Sequence, residues 1–351
     1  MTDVINGYLR AATAIPGLPG YEQPSADLAA EWFRKFSGDV WQDAFANTFA
    51  RMGGSGPRVL IAAHADGLGL MVRSVEDSGF LGFVTVGGFD PRVLPGLEVT
   101  VHGREGDYFG VIGAKPPHVL SDEDRKKVLT VPELFIDIGF SPERARKLVS
   151  VGDIVSFRAP LQNLAGKVVS GRALDDRAGI AVMLEAMRLL KKTPCHADAV
   201  FTATTREEVG GYGAATSAYS LNPDFAVIID VTHAKFKGGD DPRMVPFDTV
   251  NLAAGPCMDR RLRLRMEAVA RRAKIPLAYD YMAGQTSTDG DEVLLSRAGV
   301  PLLLLQLPLR YMHTTVECLD GDLVRKSGKL LALFLREVTA DWEGWTCTSE
   351  R

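Results

Sequence analysis

The segment Arg58-Val-Leu-Ile-Ala-Ala63 runs without a polar break straight into His64-Ala-Asp66. A short continuous apolar run is a strand buried on both faces, which places it in a parallel or mixed sheet packed between helices. Residues 199–204, 225–229 and the stretch from Leu302 repeat the pattern, and 276–282 reads as a further strand. Helical periodicity alternates with them. Residues 176–190 put Ile180, Met183, Leu184 and Met187 on one face, and 260–273, 289–298 and 320–340 read as helices. Ahead of the first run, 3–14 and 25–36 read as helices joined through the Gly17-Leu-Pro-Gly20 turn. The expected fold class is α/β, a mixed, mostly parallel sheet flanked by helices.

Between about 68 and 157 the texture changes. Gly and Val dominate, and short apolar runs recur at 84–88, 99–103, 109–113 and 153–157. This is the pattern of a small β module. Helical signal within it is confined to 121–128 and 141–148, the latter with Ser141 as N-cap and Glu143 in its first turn. The expected organisation is a discontinuous domain, 1–67 and 167–351, with an inserted, barrel-like β domain at 68–166. No internal repeat or low-complexity segment is visible.

Composition narrows the function classes. The formal net charge of −4 gives no global basic field for nucleic acid. No stretch approaches the ~20 apolar residues of a membrane span, since 300–309 is interrupted by Pro301, Gln306 and Pro308. The first 16 residues carry Asp3 and Arg10 and lack a signal-peptide pattern. Cys195, Cys257, Cys318 and Cys347 are scattered, with neither metal-ligand spacing nor a disulfide framework, so a reduced cytoplasmic protein is expected.

The chemistry gathers at strand ends. His64 and Asp66 follow the first run, Arg206-Glu207-Glu208 the second and Asp230 the third, and His313 comes a few residues beyond the last. Asp175-Asp176-Arg177 opens a helix. Parallel α/β sheets bind ligands at the carboxyl ends of their strands, and imidazoles and carboxylates converging there suit a divalent metal such as zinc. Each residue alone has an ordinary explanation. His64 reads as a loop residue, Asp175-Asp176 as a helix N-cap pair, Glu207-Glu208 as a solvated turn, Asp230 as a cap or loop residue, and Arg177 as the partner of an acid. His102, His118, His196 and His233 keep such explanations. The co-occurrence of the others at equivalent strand ends favours a shared site. Adjacent glutamates on extended chain point to opposite sides, so Glu207 and Glu208 do not suit the flanking carboxylates of a glycosidase.

The sequence resembles the TET-type dizinc aminopeptidases, the glutamyl and deblocking aminopeptidase family often labelled endoglucanase-like. The matching segments are Leu18-Pro-Gly-Tyr-Glu22, Ala63-His-Ala-Asp66, Gly110-Val-Ile-Gly-Ala-Lys-Pro-Pro-His118, Leu134-Phe-Ile-Asp-Ile-Gly139, Ala173-Leu-Asp-Asp-Arg177, Arg206-Glu-Glu-Val-Gly210, Ile229-Asp-Val-Thr232 and Leu309-Arg-Tyr-Met-His313. The resemblance implies a phosphorylase/hydrolase-like zinc peptidase fold. It implies two divalent ions, Zn or Co, one held by His64 and Asp230, the other by Glu208 and His313, with Asp175 bridging. It implies Glu207 as the general base toward a metal-activated water and Asp66 as the residue orienting His64. Short peptides would be the substrates. The β insertion would be a dimerisation domain, with homo-oligomers extending to a tetrahedral dodecamer. A deacylase or amidohydrolase on the same frame and a non-catalytic assembly protein are the alternatives. The departures are Gly67, where an acidic residue is common, Arg206, where Gln is common, and Ser287-Thr288 before Asp289 in a segment often rich in Gly.

Overall fold

The computed structural model describes residues 2–239 and 241–342. The chain divides into two compact units, one of residues 2–66, 160–312 and 316–342, the other of 67–159 with 313–315.

The larger unit opens with α1 (Asp3–Ala14) and α2 (Gln23–Phe33), followed by β1 (Asp39–Gln42), β2 (Thr48–Gly53) and β3 (Arg58–His64). The smaller unit contains β4 (Gly69–Val75), β5 (Leu81–Val86), β6 (Glu98–Gly103), β7 (Gly106–Gly113), β8 (Phe135–Asp137), α3 (Pro142–Leu148) and β9 (Ile154–Phe157). Its strands close into a barrel in the order β4-β5-β8-β7-β6-β9. Leu70, Val72, Leu81, Phe83, Val99, Val101, Ile136 and Val155 fill the interior. Ser141 caps α3 through its side chain, as its position implied. Residues 121–128 do not form the expected helix and contain only a 3₁₀ turn at Asp124–Lys126. That stretch is mostly charged, and it offers no apolar face whose burial would offset the cost of nucleation.

The chain re-enters the larger unit through β10 (Gln162–Asn163), β11 (Val168–Gly171) and α4 (Leu174–Lys192). There follow β12 (Asp198–Thr204), α5 (Tyr212–Leu221), β13 (Phe225–His233), β14 (Val250–Ala254), α6 (Arg260–Arg272), β15 (Leu277–Tyr281), α7 (Asp289–Leu294), β16 (Leu302–Arg310), β17 (Glu317–Asp320) and α8 (Gly321–Glu337). The sheet runs β1-β2-β12-β3-β13-β16-β17-β11-β10, with β14 and β15 branching from β16. Its centre, β12-β3-β13-β16, is parallel, and antiparallel pairs flank it. Several flanking strands carry no apolar run. β1 is half exposed at the sheet edge, and β17 is only Glu-Cys-Leu-Asp.

The apolar runs serve two cores. Val59, Ile61 and Ala63 of β3 join the cluster containing α1, α4, α6 and α8, while Leu60 and Ala62 join α5 and α7. β13 and β16 divide their side chains the same way. Alternate side chains of a strand point to opposite faces, so an unbroken apolar strand is what a helix-sheet-helix sandwich requires. The helix expected at 289–298 ends at Leu294, and that expected at 320–340 spans 321–337 behind the Asp320 N-cap. Cys195, Cys257 and Cys318 are free thiols, and Cys347 lies outside the described residues.

Candidate metal centre and active site

Parallel register brings the carboxyl ends of the central strands together. His64 ends β3 opposite Thr204, the last residue of β12. Asp230 lies in β13 opposite Gln306 of β16. Glu207 and Glu208 follow β12 in a turn rather than in extended chain. His313 follows β16 by three residues. Arg206 and His313 hold φ near +60° (58° and 61°). Backbone of this kind costs about 1–3 kcal/mol at a non-glycine residue and clusters at functional sites.

Two groups of donor atoms form, each within 4.8 Å: His64, Asp175 and Asp230, and Asp175, Glu208 and His313. Asp175 belongs to both. It sits just behind Ala173, a left-handed residue with φ 53°, and helical geometry begins only after Asp176. The Asp175–Asp176 peptide is cis. The two acids divide the work, since Asp176 accepts from the Gly179 N–H at 3.0 Å as a helix cap does, leaving Asp175 in the donor groups. The imidazole of His64 is buried. Its Nδ1 lies 3.2 Å from the main-chain carbonyl of Asp66, and its Nε2 lies 3.0 Å from Asp175 Oδ1. A carbonyl at Nδ1 accepts a proton from it, which leaves the Nε2 lone pair facing the donor cluster.

Asp66, expected to orient His64, is also bonded to the turn that follows β12. Its carboxylate is 3.6 Å from Nδ1, and the closer contact to the ring comes from its main-chain carbonyl. The carboxylate oxygens instead accept the N–H groups of Glu207 and Glu208, each at 3.2 Å. A single buried side chain thereby holds the turn carrying both glutamates. Glu207 Oε2 is 3.8 Å from His64 Nε2.

Among the described residues, the hydrogen bonds of Arg177 go to main-chain carbonyls rather than to an acid. Fully buried, it donates to the carbonyls of Ala65 (3.2 Å), Ile15 (3.1 Å) and Ala12, tying the C-terminal end of α1 beneath the site. The Arg206 guanidinium lies 4.3 Å from the centre of the Phe45 ring, and its main-chain N–H donates to the Glu22 carboxylate at 3.1 Å.

Residues that carried no sequence signal support the site. Glu317 Oε2 accepts the N–H groups of Leu174 and Asp175 at 2.7 and 3.3 Å. Asp289 accepts the Thr204 hydroxyl. Neither stands at the end of an apolar run, and each is linked to the site only through tertiary packing.

The electrostatics test whether a metal fits. Burial, reinforced by neighbouring carboxylates, pushes Glu208, Asp176 and Asp230 well above the usual carboxylate range and raises Glu207 as well. Burial opposes the charged form of His64, but the hydrogen bond to the Asp175 carboxylate and the nearby Asp66 and Glu207 carboxylates outweigh it and raise its pKa well above the usual value. Protein alone therefore leaves several desolvated carboxylates crowded against one another. Nitrogen and carboxylate donors at this spacing match a divalent cation, whose charge offsets that repulsion directly.

Comparison with known proteins identifies the family. Residues 46–330 match the M42 glutamyl aminopeptidase family. The chain is 32% identical over 333 residues to lysyl aminopeptidase of Pyrococcus furiosus, covering 92% of this chain and 94% of that protein. The structure of a TET aminopeptidase from a marine-sediment Thaumarchaeota archaeon is similar with a TM-score of 0.91 at 30% identity, covering 98% of this chain and 100% of that one. The Pyrococcus horikoshii TET1 peptidase, described as assembling into a tetrahedron or a large octahedral shell, is similar with a TM-score of 0.84 at 32% identity, covering 95% and 99%. From its strand-end donor groups to its full-length relatives, this chain belongs to the M42 glutamyl aminopeptidase family.

Proposed function

We propose that this protein is a divalent-metal aminopeptidase that removes N-terminal residues from short peptides. The observation carrying the proposal is the pair of donor groups sharing Asp175, with Glu207 beside them. His64 and Asp230 would hold one ion, Glu208 and His313 the other, and Asp175 would bridge. Three carboxylates and two neutral imidazoles suit Zn²⁺ or Co²⁺. Bound there, such ions supply Lewis acidity and make water a nucleophile near neutral pH.

The chain's own groups do the rest. Glu207 takes a proton from the attacking water and passes it to the leaving amine. Its carboxylate lies beside the donor groups, with Oε2 3.8 Å from His64 Nε2, where it can accept and return that proton. Asp66 fixes the turn that presents Glu207. The domain reading is part of the same proposal: a discontinuous catalytic domain is interrupted by the β insertion, whose compact unit covers 67–159, and that insertion mediates dimerisation. The shells described for the Pyrococcus horikoshii relative support assembly into a homo-oligomer, up to a tetrahedral dodecamer. A reduced cytoplasmic setting fits the three free thiols.

The test is Glu207→Gln assayed on a panel of aminoacyl-anilides with zinc, cobalt or chelator. The expected result is retained metal with turnover reduced at least ~10²-fold. A wild-type rate in that variant would refute the role of Glu207. Hydrolysis of N-blocked substrates only would instead identify a deacylase.

A further inference from the structure

We infer that Glu317 is the positioning residue for Asp175, setting the bridging carboxylate through the main chain. The inference rests on the two-ion reading above and adds the part of the protein that holds its central ligand.

Asp175 lies on an irregular piece of backbone. Ala173 is left-handed, and Asp175 and Asp176 are themselves non-helical at φ, ψ of −75°, 108° and −116°, 36°. The N–H groups of Leu174 and Asp175 therefore precede regular helix and have no carbonyl one turn back to pair with. Both donate to the same oxygen, Glu317 Oε2, at 2.7 and 3.3 Å in a buried setting. The acceptor is itself anchored. Glu317 begins β17, pairs with Gly171 of β11 in antiparallel register, and is only 2% exposed. Gly171 lies two residues before Ala173, so one sheet register fixes both the acceptor and the start of the segment it holds. The guanidinium groups of Arg172 and Arg177 lie in the field of the Glu317 carboxylate.

Asp66 applies the same device on the other side, one buried carboxylate receiving two consecutive N–H groups. Asp66 holds the turn with Glu207 and Glu208, and Glu317 holds the segment with Asp175. Because Asp175 belongs to both donor groups, movement of this one segment weakens both ions together, whereas loss of His64 or His313 strikes one group each.

The test compares wild type, Glu317→Ala, Glu317→Gln and Asp198→Asn. Zinc affinity and stoichiometry are measured by competition with a chromophoric chelator, and folding by circular dichroism and thermal midpoint. Removing a partner that orients a ligand typically costs about 10–100-fold in metal affinity. Glu317→Ala is expected to weaken both ions by that factor. Glu317→Gln keeps a neutral acceptor and is expected to show a smaller loss in the same direction. Asp198 pairs with Arg51 and Arg58 at the far end of β12. Its variant should lower the thermal midpoint with zinc affinity unchanged, which separates positioning from general destabilisation. Wild-type affinity for both ions in folded Glu317→Ala overturns the inference, and if that variant does not fold, wild-type affinity in Glu317→Gln does so. Fewer than two ions in the wild-type protein would instead overturn the two-ion reading itself.

Discussion

Asp66→Asn is a nearly isosteric change whose cost follows from the geometry. The two carboxylate oxygens accept two different N–H groups, those of Glu207 and Glu208, each at 3.2 Å. A carboxamide has one acceptor oxygen. Whichever way it turns, its amino group meets the other N–H head-on, and one buried donor is orphaned. An unsatisfied buried donor costs about 1–3 kcal/mol, and the bond that remains loses its charge assistance, roughly half its strength. The turn must shift to relieve the clash, and it carries the proposed base and a proposed ligand. With about 1.4 kcal/mol per factor of ten, a distortion of that size in the transition state lowers kcat/KM by about 10- to 100-fold. The assay is aminoacyl-anilide turnover under saturating metal, with urea unfolding of the same variant. Turnover within twofold of wild type, together with an unchanged urea midpoint, would refute the claim that Asp66 holds this turn.

His313→Ala should bind fewer than two ions per chain by elemental analysis while retaining the group formed by His64, Asp175 and Asp230, and two full equivalents would refute the ligand assignment. Burial pushes the Asp289 carboxyl up to about 6. The folded protein therefore holds this proton more tightly than the unfolded chain, and the stability so gained is present at low pH and lost as pH rises through 6. Asp289→Asn should accordingly stabilise the metal-free protein above that pH, by about 3 kcal/mol at most, with little effect near pH 4; urea midpoints across pH 4–8 check it, and a variant less stable than wild type at pH 8 would contradict the sign. Ile61, wholly buried in β3, should cost about 2–5 kcal/mol when truncated to Ala, read as a lowered denaturant midpoint.

The site and its surroundings were legible to different degrees. His64, Glu208, Asp230 and His313 stood out because each ends or closely follows an apolar run, and Asp175 because its acid pair opens a helix; the family resemblance implied which of them are ligands. Parallel pairing then accounts for the meeting of the strand-end residues, since Thr204 and His64 share a register position, whereas Asp175 arrives behind β11, which pairs antiparallel with β17. Glu317 and Asp289 had no such mark. Asp66 was visible, but its principal bonds go to the main chain of a turn 141 and 142 residues away, and no pattern of side-chain types encodes them. Arg177, whose ordinary explanation was an acidic partner, gathers carbonyls from the end of α1.

Local chemistry along the chain therefore determined the buried central strands, most of the helices, the change of texture at the insertion and the identity of the candidate donors. Those features depend on side-chain period and on neighbouring residues. Tertiary structure alone decided which buried acids join the two candidate donor groups and which hold the backbone, because that depends on which N–H groups of a distant segment they meet. It also decided the antiparallel flanks, where β1 and β17 are made by their neighbours' open edges rather than by any apolar run of their own.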